Sequence, residues 1–412
     1  MPTPASTLTP GEAVAQRTIT GYTLTPEQMQ KAEALHRTGL VLSLSSTFLT
    51  MAVLAAMVWF RIGPRLARAS RRLSRFSFVQ ACVVVALLLL VLFFVELPFS
   101  VYGHSVYLHY GLSVQGWASW LADHLRAELL TVALAIPVFW GLYAIIRRCG
   151  RRWWFCAWLA SLPVMAALLF AAPVLIDPLF NRFEPLAKSY PELTVQLRNV
   201  ARSAGLDIPE SRIFLMHASE KVTTYNAYVT GFGATKRIVV WDNTARDLTL
   251  PQTLFVFGHE MGHYVLHHTF LGLLFTALLF FAGLWLLERL AESAITRWDK
   301  RLQISTLGEW SSLPLILLLI SLLSFFSDPL ANAFSRWEEH QADVYGMRVI
   351  ASITNNPSQV AAQTFQLLGE RSYSYPDPSP LLVFWSYSHP TTADRIRFAL
   401  EGHEGRVTKG TN

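Results

Sequence analysis

Two histidines and a glutamate are spaced as in metal-binding helices. His259, Glu260 and His263 fit the pattern H-E-x-x-H. A helix turns by about 100° per residue, so His259 and His263 point the same way, one turn apart, and both imidazoles can reach one zinc ion. Glu260 would stand beside them, placed to accept a proton from zinc-bound water. The pattern predicts metal-assisted hydrolysis, with a chance match on an amphipathic helix as the alternative.

A catalytic zinc ion usually has a third protein ligand and a water molecule. A histidine ten residues after His259 would complete one known pattern, but Thr269 occupies that position. His267 lies one turn beyond His263 and is an alternative ligand. We interpret His267 and His268 instead as marking the entry of the chain into the membrane interface.

An acidic group further along the chain is a better source of the third ligand. Glu338, Glu339 and Asp343 follow the last long apolar segment. A Glu and an Asp four residues apart share one helix face, so Glu339 can bind zinc while Asp343 holds the far nitrogen of a ligand histidine. Spacing alone does not choose between Glu338 and Glu339, and a solvated charged face is the alternative.

The composition indicates a membrane protein. Of the 412 residues, 52% are hydrophobic and only 15% are charged, against about 25% charged in a typical soluble protein. A span needs about 20 predominantly apolar residues. Six segments meet or approach this length: 39–62, 76–98, 129–146, 153–176, 269–287 and 313–326. The alternative is that these segments are buried core helices of a large soluble protein.

The apolar segments divide the chain, and the predicted fold is mainly α: a polytopic membrane helical bundle with an α+β soluble insertion. Strands are expected at 212–216, 226–230 and 237–241. The three cysteines indicate neither a disulfide framework nor a cysteine metal site. The expected parts are an N-terminal polar segment and helix (1–38), four membrane helices (39–176), the insertion ending in the zinc helix (177–268), two further membrane helices (269–330), and a third-ligand helix with a C-terminal soluble segment (331–412).

Arginines between the apolar segments predict an orientation. The net charge is +6, but the basic residues cluster beside apolar segments, which indicates membrane-orientation signals and no nucleic-acid partner. With six spans, the loops at 61–75, 147–152 and 289–301 fall on one side, and the positive-inside rule makes that side cytoplasmic. Both termini, the insertion and the zinc motif would then face the opposite compartment.

Five ordered motifs resemble a known family. They are the segment 178–186, Asn226-Ala227-Tyr228, the zinc motif 259–263, the acidic segment 335–343, and His389-Pro390 followed by Arg395. Together, over about residues 76–400, the chain resembles the type I CaaX prenyl proteases. These are integral-membrane zinc endopeptidases with a zincin-like soluble part, more distantly related to HtpX-type membrane proteases.

The resemblance implies roles for single residues. Its register selects Glu339 as the third zinc ligand. His389 would help to stabilise the oxyanion, Asn226 with its neighbours Ala227 and Tyr228 would hold the substrate backbone, and Arg395 would support the site through a carboxylate. Eukaryotic members have seven spans and a cytosolic active site. The six spans and the arginine loops here depart from that pattern.

The predicted function is a membrane-embedded zinc metalloendopeptidase with one Zn²⁺ per chain. Its partners would be the lipid bilayer and a peptide or protein substrate, with or without a lipid modification, as in the processing of CaaX-box proteins. A quality-control protease for membrane or envelope proteins is an alternative, and a non-catalytic scaffold is a third possibility. The chain is expected in the inner membrane of a bacterium or in the endoplasmic reticulum membrane of a eukaryote.

Overall fold

The computed structural model describes residues 8–231 and 235–401. The described chain is mainly helical, with a small sheet between two groups of long helices, which confirms the predicted fold class. Three predicted segments include residues outside the described ranges. These residues are 1–7 of the N-terminal segment 1–38, 232–234 of the insertion 177–268, and 402–412 of the C-terminal segment 331–412.

The first part of the chain forms helices that contain the first four apolar segments. Large apolar side chains such as Phe48, Leu90 and Leu129 are exposed on them, as expected for a surface that faces lipid. The helices are α1 (Pro10–Ala15), α2 (Pro26–Trp59), α3 (Ile62–Leu73), α4 (Ser77–His109), α5 (Trp117–Cys149) and α6 (Trp153–Ala171).

The insertion contains a four-stranded sheet in the order β1-β2-β4-β3. The three predicted strands are present, and a short first strand was missed. Strand β2 is parallel to β4, while β1 and β3 pair antiparallel with their neighbours. The elements are α7 (Asp177–Phe180), β1 (Phe183–Pro185), α8 (Leu186–Ser189), α9 (Pro191–Ser203), β2 (Ile213–Met216), β3 (Ala227–Thr230), β4 (Arg237–Trp241), α10 (Asp242–Asp247) and α11 (Leu250–Val265).

Two more long helices and a soluble helical segment complete the described chain. The core of the soluble part joins β2, β4, α9 and α11 to residues of α15 and α17. The elements are α12 (His268–Arg297), α13 (Asp299–Leu302), α14 (Leu313–Ile350), α15 (Pro357–Ser372), α16 (Pro380–Ser386) and α17 (Thr392–Glu401).

Five helical runs of the described residues are long and apolar enough to cross a membrane. One of them, Trp117–Phe180, has 64 residues, which is about three times the length needed to cross a bilayer core. It contains α5 and α6, which are separated by a 3₁₀ turn at Gly150–Arg152 and pack against each other. The six predicted apolar segments therefore lie in six different helices.

The three arginine-bearing connections meet at one end of the bundle. Nε of Arg61 donates to the carbonyl of Arg301 at 2.8 Å, and Nη1 of Arg147 donates to the carbonyl of Gly308 at 3.2 Å. The connection between α4 and α5 lies at the other end, where the backbone of Val114 donates to Lys221 of the insertion. The insertion and the arginine loops are thus on opposite sides of the bundle.

The polar N-terminal segment is anchored on the soluble part. Thr25 caps α2, with Pro26 in the first position. Between α1 and α2 the chain is extended and runs along α15. Glutamine side chains of α15 form hydrogen bonds with the backbone of this extended segment. The side-chain amide of Gln359, for example, accepts a hydrogen bond from the backbone nitrogen of Ile19 and donates one to the carbonyl of Ile19. Such amide pairs tie the first membrane helix to the soluble part.

Candidate metal centre

The helices α11 and α14 pack at close range where the predicted ligands lie. Gly258 and Gly262 of α11 face α14, and Gly346 of α14 faces α11. A Cβ atom at Gly258 would lie 2.9 Å from Val349, and one at Gly346 would lie 3.0 Å from the backbone nitrogen of His259. Larger residues would hold the helices apart, so the glycines allow side chains from both helices to reach one point.

Three side chains of α11 and α14 converge there. The Nε2 atoms of His259 and His263 lie 3.3 and 3.4 Å from the two carboxylate oxygens of Glu339. One possible ligand atom of each residue lies within 4.8 Å of the other two. Glu339 is 6% exposed, and its Oε2 atom has no hydrogen-bond partner among the described residues. A buried carboxylate oxygen of this kind, beside two imidazole nitrogens, fits a divalent cation.

The second nitrogen of His259 is held by a carboxylate. Its Nδ1 lies 2.8 Å from Oδ1 of the buried Asp343, which leaves Nε2 to face the cation. Nε of Arg395 donates to Oδ2 of Asp343 at 2.9 Å. Burial by itself would lower the pKa of His259, but the contacts with Asp343 and Glu339 outweigh burial and raise the pKa to about 9. A metal ion would therefore displace a proton from His259.

Replacing Asp343 with Asn should lower metal affinity by about 10–100-fold. The neutral amide accepts a weaker hydrogen bond from His259, and Arg395 loses its buried ionic partner. Competition between the purified protein and a chelator measures the affinity. The exposed carboxylate of Asp207 provides the control, since Asp207→Asn removes the same charge away from the site. Equal affinities for both variants would contradict this role of Asp343.

A third histidine contacts the second ligand. The backbone turns at His267, which is exposed and has a φ of 61°, and His268 is buried at the start of α12. Nδ1 of His268 lies 3.1 Å from Nδ1 of His263, so it can accept a hydrogen bond from that ring while Nε2 of His263 faces the cation. Sequence reasoning missed this contact, because only the left-handed turn brings the two rings together.

Glu260 is half-buried beside the converging ligands. Burial raises the pKa of its carboxyl above the usual range, and the nearby His259 and His263 oppose that shift. A carboxylate with a raised pKa is a stronger base, as the acceptor of a water proton needs to be. Among the described residues, Glu338, the other acidic candidate, is not one of the three that converge.

The loop after α16 brings His389 to the ligand group. Nε2 of His389 lies 3.2 Å from Oε1 of Glu339, and the side chain is 57% exposed. Arg336 of α14 holds the start of this loop, because its guanidinium donates to the carbonyls of Val383 in α16 and of Tyr387 just after it. The imidazole of His389 is therefore both fixed near the ligands and open to a bound molecule.

The proposed substrate-binding residues lie at the edge of the sheet, where β3 packs against α11. Asn226, just before β3, has an exposed side chain, whereas the side chain of Ala227 is buried. The hydroxyl of Tyr228 donates to Asp177 at 3.2 Å. At this edge Asn226 can offer a side chain to a peptide. The carbonyl of Asn226 accepts from the nitrogen of Trp241, so in this antiparallel pair Tyr228 bonds β4, while Ala227 can offer its backbone at the free edge.

Two family models match the chain. Residues 17–182 match the model described as CAAX prenyl protease N-terminal, five membrane helices. Residues 187–402 match the model of peptidase family M48. This second match covers more than half of the chain and includes all of the converging residues. The chain belongs to peptidase family M48. It is a membrane-embedded metalloprotease, and the predicted resemblance to the CaaX prenyl proteases is confirmed.

Relatives of this M48 protease include bacterial and eukaryotic proteins. It is 37% identical to an uncharacterized metalloprotease, YhfN, of Bacillus subtilis (strain 168), over 79% of this chain and 74% of the relative. It is 28% identical to a CAAX prenyl protease 1 homolog of Dictyostelium discoideum, over 77% of this chain and 72% of the relative. The crystal structure of S. mikatae Ste24p has the same fold, with a TM-score of 0.79, 21% identity, and coverage of 94% of this chain and 93% of that chain.

Proposed function

We propose that this M48 protease hydrolyses peptide bonds at one zinc ion held by His259, His263 and Glu339. The observation that carries the proposal is the convergence of two imidazole nitrogens and a buried carboxylate beside Glu260. Two nitrogens and one oxygen match a His₂Glu set for catalytic zinc, which leaves a fourth position for water. Mg²⁺ prefers oxygen ligands in octahedral geometry and fits this set less well.

Each nearby side chain has a part in the proposed hydrolysis. Bound zinc would supply Lewis acidity toward a water molecule and the scissile carbonyl. Glu260 accepts the proton of the attacking water and passes it to the leaving amine. The exposed imidazole of His389 donates a hydrogen bond where negative charge develops on the carbonyl oxygen. Asp343 keeps His259 in the tautomer with a lone pair on Nε2, and Arg395 holds Asp343 in place.

The substrate is a peptide or protein segment that binds in extended form along β3. Backbone pairing with an edge strand tolerates many side chains, and Asn226 adds a polar side-chain contact. Several relatives are named CAAX prenyl proteases, so membrane-associated proteins, with or without a lipid modification, are the first substrate class. Quality control of membrane or envelope proteins is the second candidate, favoured by the backbone mode of recognition. A non-catalytic scaffold is disfavoured, because every proposed ligand and Glu260 are present.

Substrate trapping tests this function. The E260Q variant, purified from native membranes, should retain its metal and the proteins it cannot cleave. Lipid-modified proteins among those retained would favour the first class, and diverse membrane proteins without a lipid modification would favour the second. The control is E260Q combined with His263→Ala, which should lack the metal. Capture of the same proteins by both variants would contradict metal-dependent binding of substrate.

In the proposed orientation the arginine loops face the cytoplasm and the metal centre faces the opposite side. For a bacterial host the membrane is the inner membrane, and for a eukaryotic host it is that of the endoplasmic reticulum.

Cysteine labelling tests this orientation. In a chain whose three native cysteines are replaced by Ser, single cysteines introduced at positions 68 and 188 report on the two sides of the membrane. An impermeant thiol reagent added to intact bacterial spheroplasts should label position 188 and spare 68. The reverse pattern would overturn the orientation.

A further inference from the structure

The helix α3 carries arginines on one face and small residues on the other. Gly63, Pro64, Ala67 and Ser70 are buried against the bundle. The opposite face exposes four arginines to the surroundings of the protein. These exposed arginines are Arg65, Arg68, Arg71 and Arg72.

This helix is docked firmly on the bundle. A Cβ atom at Gly63 would lie 2.2 Å from the carbonyl oxygen of Ser311, so the two backbones are in close contact. Ala67 belongs to the same buried cluster as Trp153, at the start of α6, and Trp310, just before α14. The arginines of α3 are therefore held on a fixed helix and do not hang from a flexible loop.

A second set of arginines lies in the last turn of α5 and in the short turn that follows it, at the same end of the bundle. These side chains are exposed, and none of the eight arginines of the two sets forms an ion pair with a carboxylate among the described residues. Residues 61–95 and 129–176 contain no Asp or Glu. The positive charge of this face is therefore largely uncompensated by the segments that carry it. The second set is Arg147, Arg148, Arg151 and Arg152.

Exposed aromatic side chains place α3 at the depth of a membrane interface. Trp59 and Phe60, just before α3, are 56% and 62% exposed, and Phe76, just after it, is 62% exposed. Tryptophan residues of membrane proteins concentrate at the level of the lipid headgroups. The exposed Trp59 therefore favours a position of α3 at headgroup depth, beside the phosphates of one leaflet. We name the eight arginines of the two sets the arginine face.

We propose that the arginine face binds the phosphate groups of anionic phospholipids in the adjacent leaflet. Guanidinium groups pair with phosphate oxygens through two parallel hydrogen bonds. Clusters of four to eight basic residues on an amphipathic helix beside a membrane span are typical of anionic-lipid binding. Orientation during insertion requires only the charge of a loop, and it does not account for a docked helix that presents its arginines at headgroup depth.

The test compares lipids on the full-length protein in a neutral detergent. Fluorescent phosphatidylglycerol should bind at least about tenfold more tightly than fluorescent phosphatidylcholine at low salt, since each basic group near an anionic surface adds about fivefold in affinity. The preference should weaken as salt is raised. Replacing Arg65, Arg68, Arg71 and Arg72 with Gln should remove most of it. Replacing the same four residues with Lys should retain most of it.

Controls separate charge at this face from other effects. Gln in place of the exposed Arg182, Lys188, Arg202 and Arg348 removes the same charge from the soluble part and should leave the lipid preference unchanged. Circular dichroism and gel filtration verify that each variant is folded. Equal binding of the two lipids, or an undiminished preference in a folded four-Gln variant of α3, would overturn the proposal. Inorganic phosphate that displaces the labelled lipid at millimolar concentration would assign the face to free phosphate instead.

Discussion

Replacing Glu260 with Gln is expected to lower kcat for peptide cleavage by about 10²–10⁴-fold while the metal stays bound. Gln has nearly the same shape as Glu but cannot accept a proton from water. Glu260 is not among the three converging ligand residues, so its neutral replacement leaves them in place. The raised pKa that burial gives this carboxyl is suited to proton transfer, and the amide loses it.

The measurement pairs cleavage of a reporter peptide with metal analysis of the same preparation. Glu192→Gln is the matched control, because Glu192 is an exposed carboxylate at the start of α9, away from the ligands. It should keep full activity and full metal content. Activity of the Glu260 variant within about twofold of the unchanged protein would exclude Glu260 as the general base. Loss of metal would instead give it a structural role.

Glu339→Gln and Glu338→Gln should differ sharply in metal affinity. Glu339 faces both histidine nitrogens, so its replacement removes a charged ligand and should weaken metal binding by more than about 100-fold, beyond the range seen for outer contacts. Glu338 is adjacent to Glu339 in the sequence, but among the described residues it is not one of the three that converge. Replacing Glu338 should therefore change the metal affinity by less than about threefold.

This pair of variants is a strong test because the two residues are both glutamates, are adjacent in the sequence and lie on the same helix. Titration with a chromogenic chelator gives both affinities, and thermal unfolding verifies that both variants are folded. A greater loss of affinity in the Glu338 variant would reverse the assignment of the ligand and with it the proposed packing of α14 on α11. Equal losses would contradict the assignment of Glu339 as the only ligand of the pair, and unchanged affinity in both variants would indicate that the metal binds elsewhere.

The local parts of the site could be predicted from the sequence because they depend on one helix. The i, i+4 spacing of His259 and His263 is enough to place two imidazoles together. Asp343, in contrast, lies 84 positions away from His259, and which of its neighbours faces the histidines depends on how two helices pack. Small residues such as Gly258 and Gly346 determine that packing. Spacing alone therefore left Glu338 and Glu339 as alternatives.

Other contacts depend on backbone conformations that a pattern does not reveal. The left-handed residue His267 reverses the chain and brings His268 to His263. The short strand β1 has three residues and pairs with β2, which is too short for an alternating pattern to be detected. The helical bundle, in contrast, follows from the long apolar segments. A continuous apolar segment of about 20 residues can bond all of its own backbone groups in lipid when it forms a helix.

The zinc content of the purified protein tests the central claim most directly. Unchanged protein, isolated without added metal and dialysed against metal-free buffer, should contain one zinc ion per chain by elemental analysis. The His263→Ala variant, isolated in the same way, should contain less than about one tenth of that amount, because one of three ligands is lost. Absence of zinc from active unchanged protein, or equal zinc in both proteins, would contradict a catalytic zinc ion bound by His259, His263 and Glu339.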